Sequence, residues 1–219
     1  MLFLNHPVTK SSNHQMLFDD TYKTIVSASE GIYKDRGSKF IGLSFPVTNE
    51  AAVKEILQRL RKEHPGANHH CYAFRLGADK LFFRSNDDGE PSGSAGKPIL
   101  GQIQANDLTN ILIVVVRYFG GTLLGVPGLI AAYRGAAADA IANGKIVEKQ
   151  VMEIYELQFP YSAMNDVMKI LKEENSEQWD QDFQLDCKLK FSVRKNNADE
   201  VLSKLKKLPE SKILFIETA

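Results

Sequence analysis

The chain has 219 residues, a formal net charge of zero, 43% hydrophobic residues and 25% charged residues, which is typical of a globular protein. This composition excludes a disordered or collagen-like chain, and the length fits two compact domains. The longest purely apolar stretch, residues 111–116, is far shorter than the ~20 residues that cross a bilayer. Residues 1–145 hold 16 Lys and Arg against 13 Asp and Glu, too weak an asymmetry to predict a broadly basic nucleic-acid-binding domain.

The amino terminus and the two cysteines bear on where the protein works. The first residues lack the basic segment and the long apolar segment of a secretory signal, so we expect no export. Cys71 and Cys187 lie far apart in the sequence, which favours reduced thiols and a cytoplasmic location. Met16 precedes the first segment with a structured pattern, so residues 1–18 are predicted to be a disordered tail or a product of start-site choice.

The first domain is predicted to begin with strands. Three short segments rich in β-branched and aromatic residues, 22–27, 31–35 and 39–47, are separated by turn residues and predict an antiparallel meander. Thr48 is placed to cap the following helix, in which apolar residues recur at helical spacing until residues 64–66 end it. This helix is expected to pack one face on the sheet.

A second group of elements leads into the glycine-rich part of the chain. Residues 71–76 and 81–84 are predicted to form a hairpin, and residues 86–96 a loop. A helix is expected to begin near Pro98, because proline suits a first turn. A buried strand, a loop with four glycines and an alanine-rich helix follow at residues 111–118, 119–128 and 129–142.

The remainder of the chain alternates differently and defines a second domain. Its predicted order is strand, helix, strand, strand, helix, strand, over residues 153–159, 162–174, 178–183, 185–193, 198–208 and 212–217. This βαββαβ order is that of a ferredoxin-like unit. The sequence therefore predicts an α+β chain with domains at residues 19–146 and 147–219.

The loop after the predicted hairpin concentrates charged and small residues. A small-residue loop that enters a helix leaves backbone N–H groups free to hold an anion, helped by the helix dipole and a nearby lysine. The predicted ligand-binding residues here are Arg84, Gly93, Ser94, Gly96 and Lys97. In the structural alternative, backbone N–H groups are capped by the carboxylates of Asp87, Asp88 and Glu90. The segment is not a P-loop, because Pro98 stands where a Ser or Thr would bind magnesium.

A second glycine-rich segment, residues 117–128, follows the buried strand. Arg117 and Tyr118 place a planar cation and an aromatic face at the strand end, while glycines permit close backbone approach. Such a set can hold phosphate or an unstacked base. The predicted contacts are Arg117, Tyr118, Gly120, Gly121 and, in the next helix, Arg134. The structural alternative pairs Arg117 with one of the three carboxylates of the preceding loop.

Residues 68–74, NHHCYAF, place two histidines beside Cys71. On a strand His70 faces away from both neighbours, so at most two of these three side chains converge, which is too few ligands for a metal site. We therefore predict neither a metal nor a cofactor. A catalytic arrangement would use His70 together with Asp88 or Glu90 as the base.

Three segments together resemble the YigZ/IMPACT family: HPGANHHCYAF, SNDDGEPSGSAGKPIL and VVVRYFGGTLLG. The resemblance covers about residues 20–217. It implies that the first domain has the fold of the second domain of small-subunit ribosomal protein five, and that the second domain is similar to the ferredoxin-like fifth domain of elongation factor G. The matching family positions are His69, His70, Asp87, Asp88, Gly89, Glu90, Gly93, Gly96, Pro98, Arg117, Tyr118, Gly120, Gly121, Gly125, Gly128 and Tyr133.

The chain departs from the family pattern at three positions. Ser94 replaces the usual Thr and keeps the hydroxyl, and Pro127 replaces a Gly. Ala131 stands where a Lys or Arg is usual, which removes one cation from the predicted surface. Arg134, one turn further on, is placed to compensate for it.

The resemblance also frames the functional hypotheses. It implies a link to translation, because eukaryotic IMPACT is a translational regulator acting on the general amino-acid control kinase pathway. We therefore predict a translation-associated binding protein that contacts RNA, the ribosome or a translation-control protein through residues 84–134. One alternative is a hydrolase acting on a small phosphorylated or peptide-like substrate. Another is a protein-interaction module that uses the ferredoxin-like sheet, which an exposed apolar patch would favour.

Overall fold

The computed structural model describes residues 20–219. The predicted tail, residues 1–18, lies outside the described residues. Within the described part the strands form a five-stranded, a four-stranded and a two-stranded sheet, and helices accompany the two larger sheets. The predicted α+β fold class is confirmed. No helix among these residues has the length and the apolar content needed to cross a bilayer.

The elements of the first part lie before residue 151, and those of the second part follow it. The strands of the first part are β1 (Thr21–Ile25), β2 (Ser29–Asp35), β3 (Ser38–Pro46), β4 (His69–Leu76), β5 (Phe82–Asn86), β6 (Ile111–Tyr118) and β7 (Ile146–Gln150). Its helices are α1 (Glu50–Glu63), α2 (Gly96–Ala105) and α3 (Gly125–Ala142). The second part contains β8 (Met152–Pro160), α4 (Met164–Glu173), β9 (Gln178–Phe183), β10 (Asp186–Arg194), α5 (Ala198–Lys206) and β11 (Lys212–Thr218).

The five-stranded sheet has the order β2-β3-β6-β4-β5, and each neighbouring pair is antiparallel. Its central strand β6 is a run of β-branched and leucine residues that is buried on both faces. Ile113 and Val115 pack against α2 and α3, while Val114 and Val116 pack against α1. Because side chains alternate along a strand, this pattern decides which face each residue at the end of β6 reaches.

Helix α3 lies directly on the β2–β3 hairpin because two glycines face it. A Cβ atom at Gly42 would come 2.2 Å from the Ala136 carbonyl oxygen, and one at Gly31 would come 2.2 Å from the Ala140 nitrogen. No side chain fits in that space, so a substitution at either glycine would push the helix off the sheet. This contact fixes the position of α3, whose first turns line the candidate site.

Three local predictions for the first part are wrong. Strand β1 does not join a meander with β2 and β3; it pairs antiparallel with β7, with Thr21 opposite Gln150. The N-cap of α1 is Asn49, whose Oδ1 accepts a hydrogen bond from the Ala52 N–H at 2.9 Å, rather than Thr48. Helix α3 begins at Gly125, one turn earlier than expected, because the first N–H groups of a helix need no partner within it and tolerate proline there.

The second part confirms the predicted βαββαβ order. Its sheet has the antiparallel order β11-β8-β10-β9, and α4 and α5 pack on one face around Leu157 and Phe191. An ion pair between Asp20 and Arg194 links this part to the start of the described chain. Because β7 pairs with β1, the first part continues to Gln150 in its strand pairing. The domain boundary between residues 146 and 147 stays a prediction.

Candidate functional site

The loop between β5 and α2 is held by one carboxylate, that of Asp87. Its Oδ2 accepts a hydrogen bond from the Gly93 N–H at 2.8 Å, and its Oδ1 accepts from the N–H groups of Ala95 at 3.0 Å and Gly96 at 2.7 Å. Burial raises the pKa of Asp87, but the three backbone hydrogen bonds lower it by more, so it lies below its ordinary value. The start of α2 is thus occupied by the chain's own anion, so the prediction of free N–H groups at Gly93 and Gly96 is wrong.

Asp88 ties the same loop to β4 and to α1. Its Oδ2 accepts from the His70 backbone N–H at 2.6 Å, and its Oδ1 accepts from the Arg61 guanidinium at 2.7 Å. Although burial raises it, these two bonds lower the pKa of Asp88 overall. The Asp88 carbonyl oxygen lies 2.8 Å from Nδ1 of His69. Both aspartates of the loop therefore serve as structural anchors.

Glu90 lies at the centre of a buried polar network. Its Oε1 accepts hydrogen bonds from Arg117 Nη1 at 2.5 Å and from the Tyr133 hydroxyl at 2.7 Å. The side chains of Glu90 and Arg117 are only 3% and 7% exposed. The Cys71 thiol adjoins Tyr133 at 3.3 Å, and burial raises the pKa of Cys71 to about 12. Of the partners considered for Arg117, the structure selects Glu90, so Arg117 is not the exposed phosphate contact expected from the sequence.

The predicted catalytic arrangement is not assembled. The distance from His70 Nδ1 to Asp88 Oδ2 is 4.0 Å, beyond hydrogen-bond reach, and both Asp88 oxygens already accept other bonds. Burial, together with the charge of Arg61, lowers the pKa of His70 below its ordinary value. Among residues 20–219 no three His, Cys, Asp or Glu side chains converge to hold a metal ion. The geometry therefore does not join His70 to Asp88 as the hydrolase alternative with that base requires.

Several predicted ligand-binding residues point elsewhere or are covered. Tyr118 lies on the α1 face of the sheet, where its hydroxyl is 2.9 Å from His64 Nδ1, so it does not meet Arg117. Arg84 pairs with Glu50 at 2.9 Å. Ser94 is buried, and its hydroxyl donates to the Pro91 carbonyl oxygen at 2.6 Å. Gly120 packs against Gly37, whereas Gly121 is exposed with a positive φ of 86°.

The remaining predicted residues meet in a groove between α2 and α3. We call this the α2–α3 groove; its volume is about 540 Å³, and it is lined by Gly93, Lys97, Pro98, Gly101, Gln102, Ile130 and Arg134. Lys97 and Arg134 are both exposed, and the lining contains no carboxylate. Arg134 lies about one turn beyond Ala131, so it supplies the groove with a second cation although this chain lacks the usual Lys or Arg at position 131.

A second concave site, the Phe119 cleft, opens beside the buried network and has a volume of about 430 Å³. Its polar end is formed by Asn68, His69, Glu90 and Arg117. Its apolar walls are Pro91, Phe119, Leu123, Leu124, Gly125, Val126 and Leu129. His69 and Phe119 were not among the predicted site residues, although strand alternation already set His69 on the opposite face from His70. In the structure His69 lies opposite Arg117 on β6.

Comparison with known proteins places these features in a family. A family model described as "Impact N-terminal domain" matches residues 36–141, which contain the loop, the groove and the cleft. Over 170 residues the chain is 34% identical to IMPACT family member YigZ of Escherichia coli (strain K12), with 77% of this chain and 83% of that protein covered. The chain belongs to the IMPACT family.

Two further comparisons describe its relation to other IMPACT-type proteins and structures. Protein IMPACT homolog of Saccharomyces cerevisiae is 35% identical over 114 residues, which cover 50% of this chain and 43% of that protein. A solved structure described as "Crystal structure of an hypothetical protein" superposes with a TM-score of 0.70 at 30% identity, covering 90% of this chain and 98% of that one. The predicted family and fold are confirmed.

Proposed function

We propose that this IMPACT-family protein is a translation-associated binding protein whose α2–α3 groove contacts the phosphate backbone of RNA, free or within the ribosome. The observation that carries the proposal is the pair of exposed cations, Lys97 and Arg134, on one groove without a carboxylate. Lysine and arginine that neutralise phosphates release counterions and so drive binding without base specificity. The family resemblance to translational regulators supports the translation context.

The loop beside the groove explains why side chains rather than the backbone must hold the phosphate. The N–H groups at the start of α2 donate to Asp87, so they are not available to a second anion. Gly93 has no side chain to cover Lys97; a Cβ atom there would lie 3.5 Å from Lys97 Cδ. Lys97 therefore stays accessible from the groove, and Arg134 supplies the second positive charge across it.

Salt-dependent binding tests this function. Purified protein is titrated with a single-stranded RNA oligonucleotide and with ribosomes at several salt concentrations. For the Lys97→Ala/Arg134→Ala variant, the negative slope of log K against log salt should become shallower by about 1.4, since each contact to single-stranded RNA contributes about 0.7 to its magnitude. The control is Lys169→Ala/Lys206→Ala, which removes two exposed cations from α4 and α5. Absence of RNA affinity, or an unchanged slope in the groove variant, contradicts the proposal.

A second candidate function, recognition of a protein partner, is favoured by strand β11. This edge strand exposes three consecutive apolar side chains, Leu214 at 60%, Phe215 at 51% and Ile216 at 41%. An exposed edge offers unpaired backbone groups to which a strand of another protein can add. If a ribosomal protein docks there, Leu214→Lys/Ile216→Lys should abolish ribosome binding while RNA binding persists. Retained ribosome binding in that variant would leave the RNA contact as the function.

A further inference from the structure

The Phe119 cleft and the α2–α3 groove are neighbours. Pro91 lines the cleft and Gly93 lines the groove, so the same loop borders both. On α3 the adjacent residues Leu129 and Ile130 face the cleft and the groove respectively. The two sites therefore adjoin, so one ligand can reach both.

The cleft favours an uncharged ligand. Its two lining residues of opposite charge, Arg117 and Glu90, form a direct ion pair, and its other lining residues apart from Asn68 and His69 are apolar. A charged group that enters such a site loses its hydration without gaining a counter-charge. The volume of about 430 Å³ lies in the range of small-molecule sites. Phe119 is 44% exposed and offers an aromatic face for stacking.

The polar end of the cleft favours a ligand with hydrogen-bond donors. A carbonyl oxygen only accepts, so the 2.8 Å contact with the Asp88 carbonyl places a proton on His69 Nδ1. In the neutral ring, Nε2 is then an acceptor, and it lies 3.8 Å from another acceptor, Glu90 Oε1. Glu90 Oε1 already accepts bonds from Arg117 and Tyr133, so His69 Nε2 is the acceptor at this end of the cleft that matches a ligand N–H donor.

A second observation concerns Arg117 itself. Its side chain is 7% exposed, and its Nε–H is buried without a hydrogen-bond partner among the described residues. Its guanidinium lies 5.6 Å from the centre of the Phe119 ring. A ligand that stacks on Phe119 therefore comes close to a donor that lacks an acceptor. Nucleobases combine a planar neutral ring with N–H donors and carbonyl or ring-nitrogen acceptors on one edge.

We propose that the Phe119 cleft binds an uncharged nucleobase, supplied by a single-stranded RNA whose phosphates lie in the α2–α3 groove. The base stacks on Phe119 and donates hydrogen bonds towards His69. The RNA part of this assignment rests on the proposed function. The base site itself does not, because a free nucleoside carries the same ring and no phosphate.

The experiment separates these two parts. Uridine and adenosine are titrated into the ¹⁵N-labelled protein, with ribose as the matched compound that lacks a base. The nucleosides, and not ribose, should shift the amide signals of residues 119–126. Phe119→Ala should weaken nucleoside and RNA binding at least about fivefold, the lower end of the effect of losing one stacked base. Leu123→Ala, at a wall side chain 80% exposed, is a second cleft variant that leaves the core intact.

Two controls make the result specific. Phe83→Ala truncates a phenylalanine that is 51% exposed on β5, and it should leave binding unchanged. Lys97→Ala/Arg134→Ala should weaken RNA binding but not nucleoside binding, because nucleosides have no phosphate.

Nucleosides that leave the amide signals of the cleft unshifted overturn the base site. RNA binding that depends on Lys97 and Arg134 but not on Phe119 overturns it too, while the proposed function stands. Nucleoside binding without RNA binding supports the base site and identifies free nucleosides as its ligands.

Discussion

The Phe119 cleft and the α2–α3 groove are built from the same stretch of chain, yet their cations differ in burial and in ion pairing. In the cleft, Arg117 is buried and its charge is cancelled by Glu90. In the groove, Lys97 and Arg134 are exposed and no carboxylate joins the lining. A cation that is buried in a direct ion pair becomes part of the scaffold, whereas an exposed cation outside such a pair retains attraction for phosphate. Glu90 therefore gives Arg117 a structural role, while Lys97 and Arg134 remain on the surface proposed to bind phosphate.

The largest expected effect comes from removing the buried cation. Arg117→Leu leaves the Glu90 charge buried without compensation, which should lower the free energy of unfolding by about 3–5 kcal/mol. Lys97→Leu, the matched change in the groove, should stay within about 0.5 kcal/mol of the native protein, because its charge is exposed. Urea denaturation of both variants measures the difference.

A double variant sharpens this result. Arg117→Leu/Glu90→Leu removes both charges together and should recover much of the lost stability, since an apolar replacement of a buried ion pair is often close to neutral. If the Arg117 and Lys97 variants lose the same stability, the distinction between scaffold and binding surface is wrong.

Sequence reasoning predicted the elements well and their partners less well. The β-branched run of β6 and the helical spacing in α1 gave these elements directly, because both patterns are local. The pairing of β1 with β7 joins segments far apart in the chain, and turn residues that end a strand carry no information about its partner. The two glycines that seat α3 on the hairpin were likewise not predicted, because their role depends on a tertiary contact.

An intermediate effect is expected at the loop anchor. Asp87→Ala removes the charged acceptor of three backbone N–H groups at the start of α2, so the free energy of unfolding should fall by about 2 kcal/mol or more. Hydrogen exchange should quicken at Gly93, Ala95 and Gly96. The control, Asp79→Ala, removes a turn acceptor that the Leu81 N–H reaches at 3.2 Å, and it should cost far less. Equal losses in both variants would show that the three bonds add nothing to the loop.

The candidate site was predicted only in part, for a related reason. Alternation along β6 places Arg117 and Tyr118 on opposite faces of the sheet. Alternation along β4 likewise brings His69 rather than His70 to the cleft. Both outcomes follow from the two-residue period of a strand once it is known which face of the sheet carries the cleft. Which carboxylate reaches Arg117 could not be predicted, because that depends on the path of the loop. Nothing in the sequence marked Phe119 as a site residue except its position directly after β6.

The smallest effect concerns His70, a buried titratable group outside both sites. Burial lowers its folded-state pKa below the value of 6.5 expected in the unfolded chain, so the unfolded state binds more protons between these two values. Its contribution to stability is complete above about pH 6.5 and is lost as the pH falls towards the folded pKa, by less than about 1.4 kcal/mol per pH unit. The loss between pH 7 and pH 5 should be smaller in His70→Gln than in the native protein, as thermal denaturation would measure. An equal loss in both proteins would contradict this assignment.

The pairing of β1 with β7 also sets an order of events during synthesis. Ile25 and Ile146 face each other across this pair and are 121 positions apart in the chain. At 5–20 residues per second, a ribosome takes on the order of ten seconds to make the partner of a strand that has already emerged. Until then β1 lacks β7, its antiparallel partner, and its backbone contact is the bridge from Lys23 to Leu108. The strand pairing of the first part is therefore completed only when the polypeptide reaches Gln150, the last residue of β7.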